Sequence, residues 1–201
     1  MASDWRQQVI DRVEMLCLPK WKFGHQPRLY ALTRQIGEGL AYDDDVVFAA
    51  AWLHDLGVFI GQRPEQPELL AKWDHVAYAC QHIPTILIEA GFTESKIPAV
   101  LEVVKTHQPK DDPQTIEGIL VRDADICEQL GAVGLMRTVP KVGSDTRFHR
   151  FQDAVYSLEA AAENLPALLR LPAAQRIGRA RAEWLTNFLT QLRLEAGENL
   201  Y

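Results

Sequence analysis

Cysteine, basic charge and long apolar runs are all scarce in this chain. Its 201 residues hold three cysteines, Cys17, Cys80 and Cys127, widely spaced and without a Cys-x-x-Cys pair. That excludes a disulfide framework or a zinc ribbon and fits small buried side chains in a reducing compartment. Lys and Arg number 21 against 27 Asp and Glu, a formal net charge of −6. Binding along a phosphate backbone needs a basic face, so nucleic acid is not expected as a partner. No apolar run approaches the roughly 20 residues of a membrane span, so no membrane partner is expected either. Met1-Ala2-Ser3-Asp4 leads straight into an amphipathic segment with no signal-peptide pattern, and the expected location is cytoplasmic. Glu198-Asn199-Leu200-Tyr201, after Ala196-Gly197, resembles the start of a protease-cleavable tag, so residues 196–201 are set aside from the fold.

What remains reads as helix almost throughout. Ser3 or Asp4 can cap a first helix through Cys17, with Val9, Ile10, Val13 and Leu16 on one face. Pro27 suits the first turn of a second helix, to about Leu40. Asp43, Asp44 and Asp45 put negative charge at the start of a third, which ends at Gly57. A loop rich in Pro and Gln, from Gly61 to Pro67, precedes a helix from Asp74 to Ala90, kinked or broken near Pro84. Thr93 caps the next helix. Thr115 opens another through Gly131, and the stretch from Phe148 to Leu194 holds two more, divided at Leu171-Pro172. No segment alternates like a strand, and no internal repeat stands out. The expectation is an all-α fold, one helical bundle over residues 1–195, with its C-terminal helices at about 148–195.

Against that apolar background the polar residues are informative. His54-Asp55 closes the apolar stretch Ala49-Ala50-Ala51-Trp52-Leu53. Burying an imidazole and a carboxylate there costs several kcal/mol unless something compensates, about 2–7 for a neutral polar group and more for a charge. A metal ion is one answer, because it takes a neutral imidazole and an ionised carboxylate directly. A core His-Asp hydrogen bond is the other. Histidines recur near helix ends: His25 before the second helix, His75 in the first turn of its helix, His107 at the end of the next. Asp123-Ala124-Asp125 lies within an apolar-periodic helix. Taken singly, each has a structural reading: end-capping for His25 and His107, a surface helix face for His75 and His82, a pairing with Arg122 for Asp123. Taken together, they follow the way helical bundles build metal sites, from side chains of several helices that converge.

These motifs resemble the HD-domain metal-dependent phosphohydrolases. His25-Gln26-Pro27-Arg28-Leu29 resembles the family's His-x-x-Arg-Val helix start. Trp52-Leu53-His54-Asp55-Leu56-Gly57 resembles its central Leu-His-Asp-Ile-Gly motif. Asp123-Ala124-Asp125, followed by Leu130-Gly131-Ala132-Val133-Gly134, is similar to a bacterial subgroup with Asp-Ala-Asp-Arg-Leu-Asp-x-Leu-Gly-Ala. The resemblance covers about residues 20–140. It implies an HD-type helical bundle with His25, His54, Asp55 and Asp125 as metal ligands and Asp123 behind them. The ion it implies is Mn²⁺, Fe²⁺, Ni²⁺ or Mg²⁺, one ion or two. Ile126-Cys127-Glu128 depart from the subgroup's Arg-Leu-Asp, which removes an arginine next to the distal ligand.

The chemistry implied is hydrolysis. A metal polarises a phosphoryl oxygen and lowers the pKa of a bound water, and Asp55 can take up a proton. Lys105, Arg28, His75 and His107 are the candidates for gripping phosphate or protonating the leaving group. The substrate expected is a small phosphorylated molecule, first a nucleotide, cut at a phosphoester or a diphosphate bond. The solvated-face reading is the simpler one for Lys105 and for Arg170, Arg176, Arg179 and Arg181. Two other classes compete. A di-iron oxygenase of the same fold would use His75 and His107 as additional ligands. A non-catalytic nucleotide sensor is favoured only by Ile126.

Overall fold

The computed structural model describes residues 4–144, 148–197 and 199–200. Among these residues ten α-helices and short 3₁₀ turns form, and there is no strand, only an isolated bridge between Ile60 and Arg63. The all-α expectation holds. No helix among the described residues is long and apolar enough to cross a membrane. By its contacts the chain divides into two compact units, Met1–Arg122 and Asp123–Tyr201.

The first unit is organised around one helix that is apolar on every side. After α1 (Trp5–Leu16) and α2 (His25–Ile36) comes α3 (Asp44–Leu53), in which every residue from Val46 to Leu53 is buried. A helix without a polar face can only be central. It packs on α1 and α2 and, further along, on α5 (His75–Ala90) and α6 (Ile97–Lys105), with the short α4 (Pro67–Leu70) between. Asp4 caps α1 by accepting from the Arg6 amide. Ser3, the alternative cap, lies outside the described residues. α2 stops at Ile36, short of Leu40. α3 stops at Leu53, with a 3₁₀ turn over Leu56–Val58 carrying the chain past Gly57. α5 runs unbroken through Pro84. Thr93 makes no side-chain cap and opens only a 3₁₀ turn, Glu94–Lys96.

The three consecutive aspartates play different parts at the α3 N-terminus. Asp43 accepts from the amides of Asp45 (3.1 Å) and Val46 (3.4 Å). Arg6 on α1 reaches Asp44 at 2.9 Å and Asp45 at 2.7 Å, and Lys96 reaches Asp43 at 2.8 Å and Asp45 at 3.0 Å. The hydrogen bond from Arg6, opposed by burial and supported by Lys96, holds the Asp45 carboxyl below its ordinary 3.8. A carboxyl with a lowered folded-state pKa stabilises the fold above the ordinary value and loses that contribution as pH falls through the lowered one. Asp45→Asn should therefore be less stable than wild type at pH 7. Because Asp45 is about two-fifths exposed (38 %), the difference should not exceed about 1 kcal/mol. It should persist to about pH 4 and shrink below that, which urea midpoints across this range would read. A difference that grows in acid would refute the assignment.

The second unit holds the C-terminal part of α7 (Ile116–Glu128), then α8 (Gly131–Thr138), α9 (Phe151–Asn164) and α10 (Pro172–Ala196). The Thr115 hydroxyl caps α7 through the Gly118 amide at 3.1 Å, as the sequence suggests. Gly131, expected to end that helix, begins the next one instead, at φ +69°. Val155, Leu158, Leu185 and Leu189 form a cluster between α9 and α10. Leu200, set aside with the tag-like terminus, packs partly buried against them; Glu198 and Tyr201 lie outside the described residues. Asp123 fixes the chain where α10 starts, its Oδ2 accepting from the Arg170 amide at 2.9 Å and the Leu171 amide at 2.8 Å. Asp123→Ala should cost about 2–4 kcal/mol by leaving both amides without this acceptor. Asp123→Asn, which retains an acceptor oxygen, should cost less. Equal denaturation midpoints for Ala and wild type would rule the anchor out.

Candidate metal centre

The four histidines singled out in the first unit all stand at helix ends. His25 is the first residue of α2 and His75 the first of α5, while His54 directly follows α3 and His107 follows α6. These ends meet. Ring centroids are 5.3 Å apart for His25 and His54, 4.9 Å for His54 and His107, and 6.0 Å for His75 and His107. His25, His54 and His107 are buried, and His75 is half-buried.

Backbone carbonyls set the orientation of two rings. His54 Nδ1 lies 3.1 Å from the Ala51 carbonyl and His107 Nδ1 lies 2.6 Å from the Val104 carbonyl. A carbonyl can only accept, so each Nδ1 carries a proton and each ring turns its Nε2 the other way. That is the arrangement by which proteins fix an imidazole as a ligand. His54 Nε2 lies 3.3 Å from His25 Nε2. Asp55 Oδ2 is 3.5 Å from His54 Nε2 and 3.7 Å from His25 Nε2. Burial alone would push the Asp55 carboxyl up. The imidazole of His54, which also hydrogen-bonds to it, together with His25 and His107, outweighs that and holds it well below the usual range.

The donor set fits a divalent cation. Two ligands about 2.1 Å from one ion stand about 3.0 Å apart at a right angle and about 3.4 Å apart at the tetrahedral angle. The 3.3 Å between His25 Nε2 and His54 Nε2 falls within that range, and Asp55 Oδ2, at 3.5 and 3.7 Å from them, stands slightly outside it. Ligand atoms of His54, Asp55 and His107 likewise all lie within 4.8 Å of one another. Imidazole and carboxylate without thiolate are not the thiolate-rich set common in closed structural zinc sites.

The turn after Asp55 is shaped by a close approach. A Cβ on Gly57 would stand 2.6 Å from the His75 carbonyl oxygen and 2.7 Å from its Cα, so only glycine lets the start of α5 lie there. Trp73 Nε1 donates to the Gly57 carbonyl at 2.7 Å and ties the same two segments together. Sequence reasoning passed over Trp73. The available clue was an aromatic residue directly before the Asp74 cap, where a hydrophobic side chain commonly fixes the entry of the chain into a helix. Gln108 was also missed; its Nε2 stands 3.4 Å from His75 Nε2.

The remaining residues are placed less centrally. Lys105 is exposed at the end of α6. Arg28 is exposed on α2, its Nη1 lying 2.7 Å from where a Gly24 Cβ would be. His82 hydrogen-bonds to the Tyr78 carbonyl at 2.8 Å and stacks on the Tyr78 ring, which matches a helix-face residue. Asp125 is buried on α7, accepting from Gln129 Nε2 at 3.2 Å.

Histidines brought from several helix ends to one carboxylate define a helical protein with a site suited to a metal. The family is equally definite: the HD domain profile matches residues 23–130, and the chain belongs to the HD domain family. Among solved structures, Bacillus subtilis YpgQ superposes with a TM-score of 0.72 at 21 % identity, covering 96 % of each chain. The same protein in complex with ADP gives a TM-score of 0.69 at 21 % identity over 96 % of each chain. An HD-superfamily hydrolase from Bacillus thuringiensis gives 0.70 at 20 % identity, covering 99 % of this chain and 100 % of that one. At these identities what is shared is the fold. No curated protein matches the sequence.

Proposed function

We propose that the protein is a metal-dependent phosphohydrolase that cuts a phosphoester or diphosphate bond of a small phosphorylated molecule, with nucleotides as the first class of substrate. The observation that carries this reading is the pair of imidazoles anchored through Nδ1 and facing the Asp55 carboxylate. Membership of the HD family and the fold shared with HD-superfamily hydrolases support it. The ADP complex of Bacillus subtilis YpgQ supports a nucleotide.

In this reading His25, His54 and Asp55 would hold the ion, and Asp125 is the further ligand that the resemblance of its motif implies. When bound, the ion supplies Lewis acidity to a phosphoryl oxygen and acidifies a water. Asp55, the carboxylate beside His54 and His25, would be the group placed to take a proton from that water. His75 and His107 stand beside the ligand set and serve to protonate the leaving oxygen, with Gln108 holding the His75 ring. Arg28 and Lys105, exposed at the ends of their helices, bind outlying charge of the substrate.

A panel of nucleoside mono-, di- and triphosphates, assayed with Mn²⁺ for phosphate and pyrophosphate, tests the reading and names the bond. Release that stops with chelator and returns with Mn²⁺ is expected. No release from any member would reject the nucleotide hydrolase. Two tightly held irons with oxygen uptake would replace it by the oxygenase, for which His75 beside His107 is the favouring observation.

A further inference from the structure

Between α1 and α5 lies a cavity of about 260 Å³, lined by none of the residues of the candidate metal centre and wholly by the first unit. Leu16 at the end of α1, Leu56 and Ile86 give it apolar surface. Leu56 directly follows Asp55, so the lining adjoins the turn that carries the carboxylate. Tyr78 and His82 form a ready-made aromatic wall, their rings stacked with centroids 3.9 Å apart and planes 24° from parallel. Tyr78 Oη donates to Gln62 Oε1 at 2.6 Å, and His82 Nδ1 donates to the Tyr78 carbonyl at 2.8 Å. Both rings are thus held in place, while His82 Nε2 and the Gln62 amide nitrogen keep hydrogen-bonding capacity of their own. On the exposed side Arg12 pairs with Glu89 through Nη2. A guanidinium has five N–H donors and a carboxylate several acceptor positions, so this one contact leaves both with capacity to spare.

Apolar surface, a fixed aromatic wall and a donor beside an acceptor are together what recognises a heterocyclic base. Aromatic side chains hold bases by stacking. A donor next to an acceptor reads the matching pair on a base edge, as a side-chain amide does with adenine N7 and its N6 amino group. The volume lies below the roughly 300–1,000 Å³ of clefts that enclose drug-sized ligands, which suits a base or nucleoside better than a whole nucleotide. We propose that this cavity binds a purine base, its two-ring face laid on the Tyr78–His82 wall and its edge met by Arg12 and Glu89. Two sources share that chemistry: the base of the nucleotide substrate, and a separate purine ligand acting from beside Asp55.

The test is calorimetric titration of the full chain, without added metal, with adenosine, guanosine and, as the single-ring control, uridine. With metal and phosphate left out, the result stands apart from the hydrolase reading, which can fail without touching it. A purine nucleoside should bind with a Kd of about 1 mM or tighter, and uridine more weakly. Arg12→Gln and His82→Ala should each weaken purine binding about tenfold, the value of one charge-assisted hydrogen bond or one stacked ring. Arg12 is 39 % exposed, so Arg12→Gln keeps the fold and decides the matter if His82→Ala does not. No binding of either purine overturns the proposal, as does binding indifferent to Arg12→Gln. Uridine bound as tightly as the purines overturns it too. In turnover of a nucleotide, a purine nucleoside that raises KM alone identifies the substrate's own base as the occupant. A nucleoside that changes kcat identifies a separate ligand.

Discussion

Asp55→Ala is expected to abolish turnover and to weaken Mn²⁺ binding by more than about a hundredfold, while leaving the helices folded. Loss of an outer partner of a metal site commonly costs 10- to 100-fold in affinity, so loss of a charged ligand should cost at least the upper end of that range. Asp55 Oδ2 stands 3.5 Å from His54 Nε2 and 3.7 Å from His25 Nε2. Its removal takes the negative charge from the centre of the histidine cluster. The residue sits in a turn after α3 and not within the buried run Val46 to Leu53, so packing of the central helix should survive. Asp55→Asn keeps the shape and one acceptor oxygen, and should bind metal weakly without restoring turnover. Calorimetric Mn²⁺ titration with circular dichroism checks both variants. Undiminished Mn²⁺ affinity in Asp55→Ala would exclude Asp55 as a ligand.

Gly57→Ala should be the most disruptive single methyl in the first unit. The added Cβ would meet the backbone of His75 at 2.6–2.7 Å and its Cβ at 3.0 Å, and backbone cannot move aside as a side-chain tip can. Either the turn after Asp55 or the start of α5 must shift. Overpacking of this kind costs about 1–3 kcal/mol, a fall of roughly 2–12 °C in the melting midpoint for a chain of this size. Because His75 is the residue displaced, activity should fall further than stability. Trp73→Phe removes the 2.7 Å hydrogen bond that ties the same segments together without adding bulk, and should give a milder version of both effects. A Gly57→Ala protein with wild-type stability and turnover would show that the turn tolerates the methyl.

The sequence carried much of this because the relevant signals are local. Capping chemistry at Asp4, Asp43, Asp74 and Thr115 marks helix starts, and each of these side chains accepts a backbone amide in the fold. The all-apolar run before His54-Asp55 identifies a central helix and therefore a polar pair in a place that needs a reason. Less legible were features that depend on two distant segments meeting. Nothing in the spacing of Gly57 and His75 shows that one backbone rests on the other. Asp123 reads as a carboxylate stranded in an apolar helix until Arg170 and Leu171 supply its amides. Gly131 shows the limit of a one-residue rule: its positive φ of +69° follows one helix and opens another. Pro84 shows another limit, since α5 accepts a proline without ending.

The central claim is that imidazoles gathered from helix ends bind a metal. Pulsed electron spin resonance of the Mn²⁺-loaded protein, labelled with ¹⁵N-histidine, addresses it directly. Coupling of Mn²⁺ to imidazole nitrogen, reduced in His54→Ala, is the predicted result. Mn²⁺ coupled only to water protons, with a spectrum indifferent to His54, would contradict it.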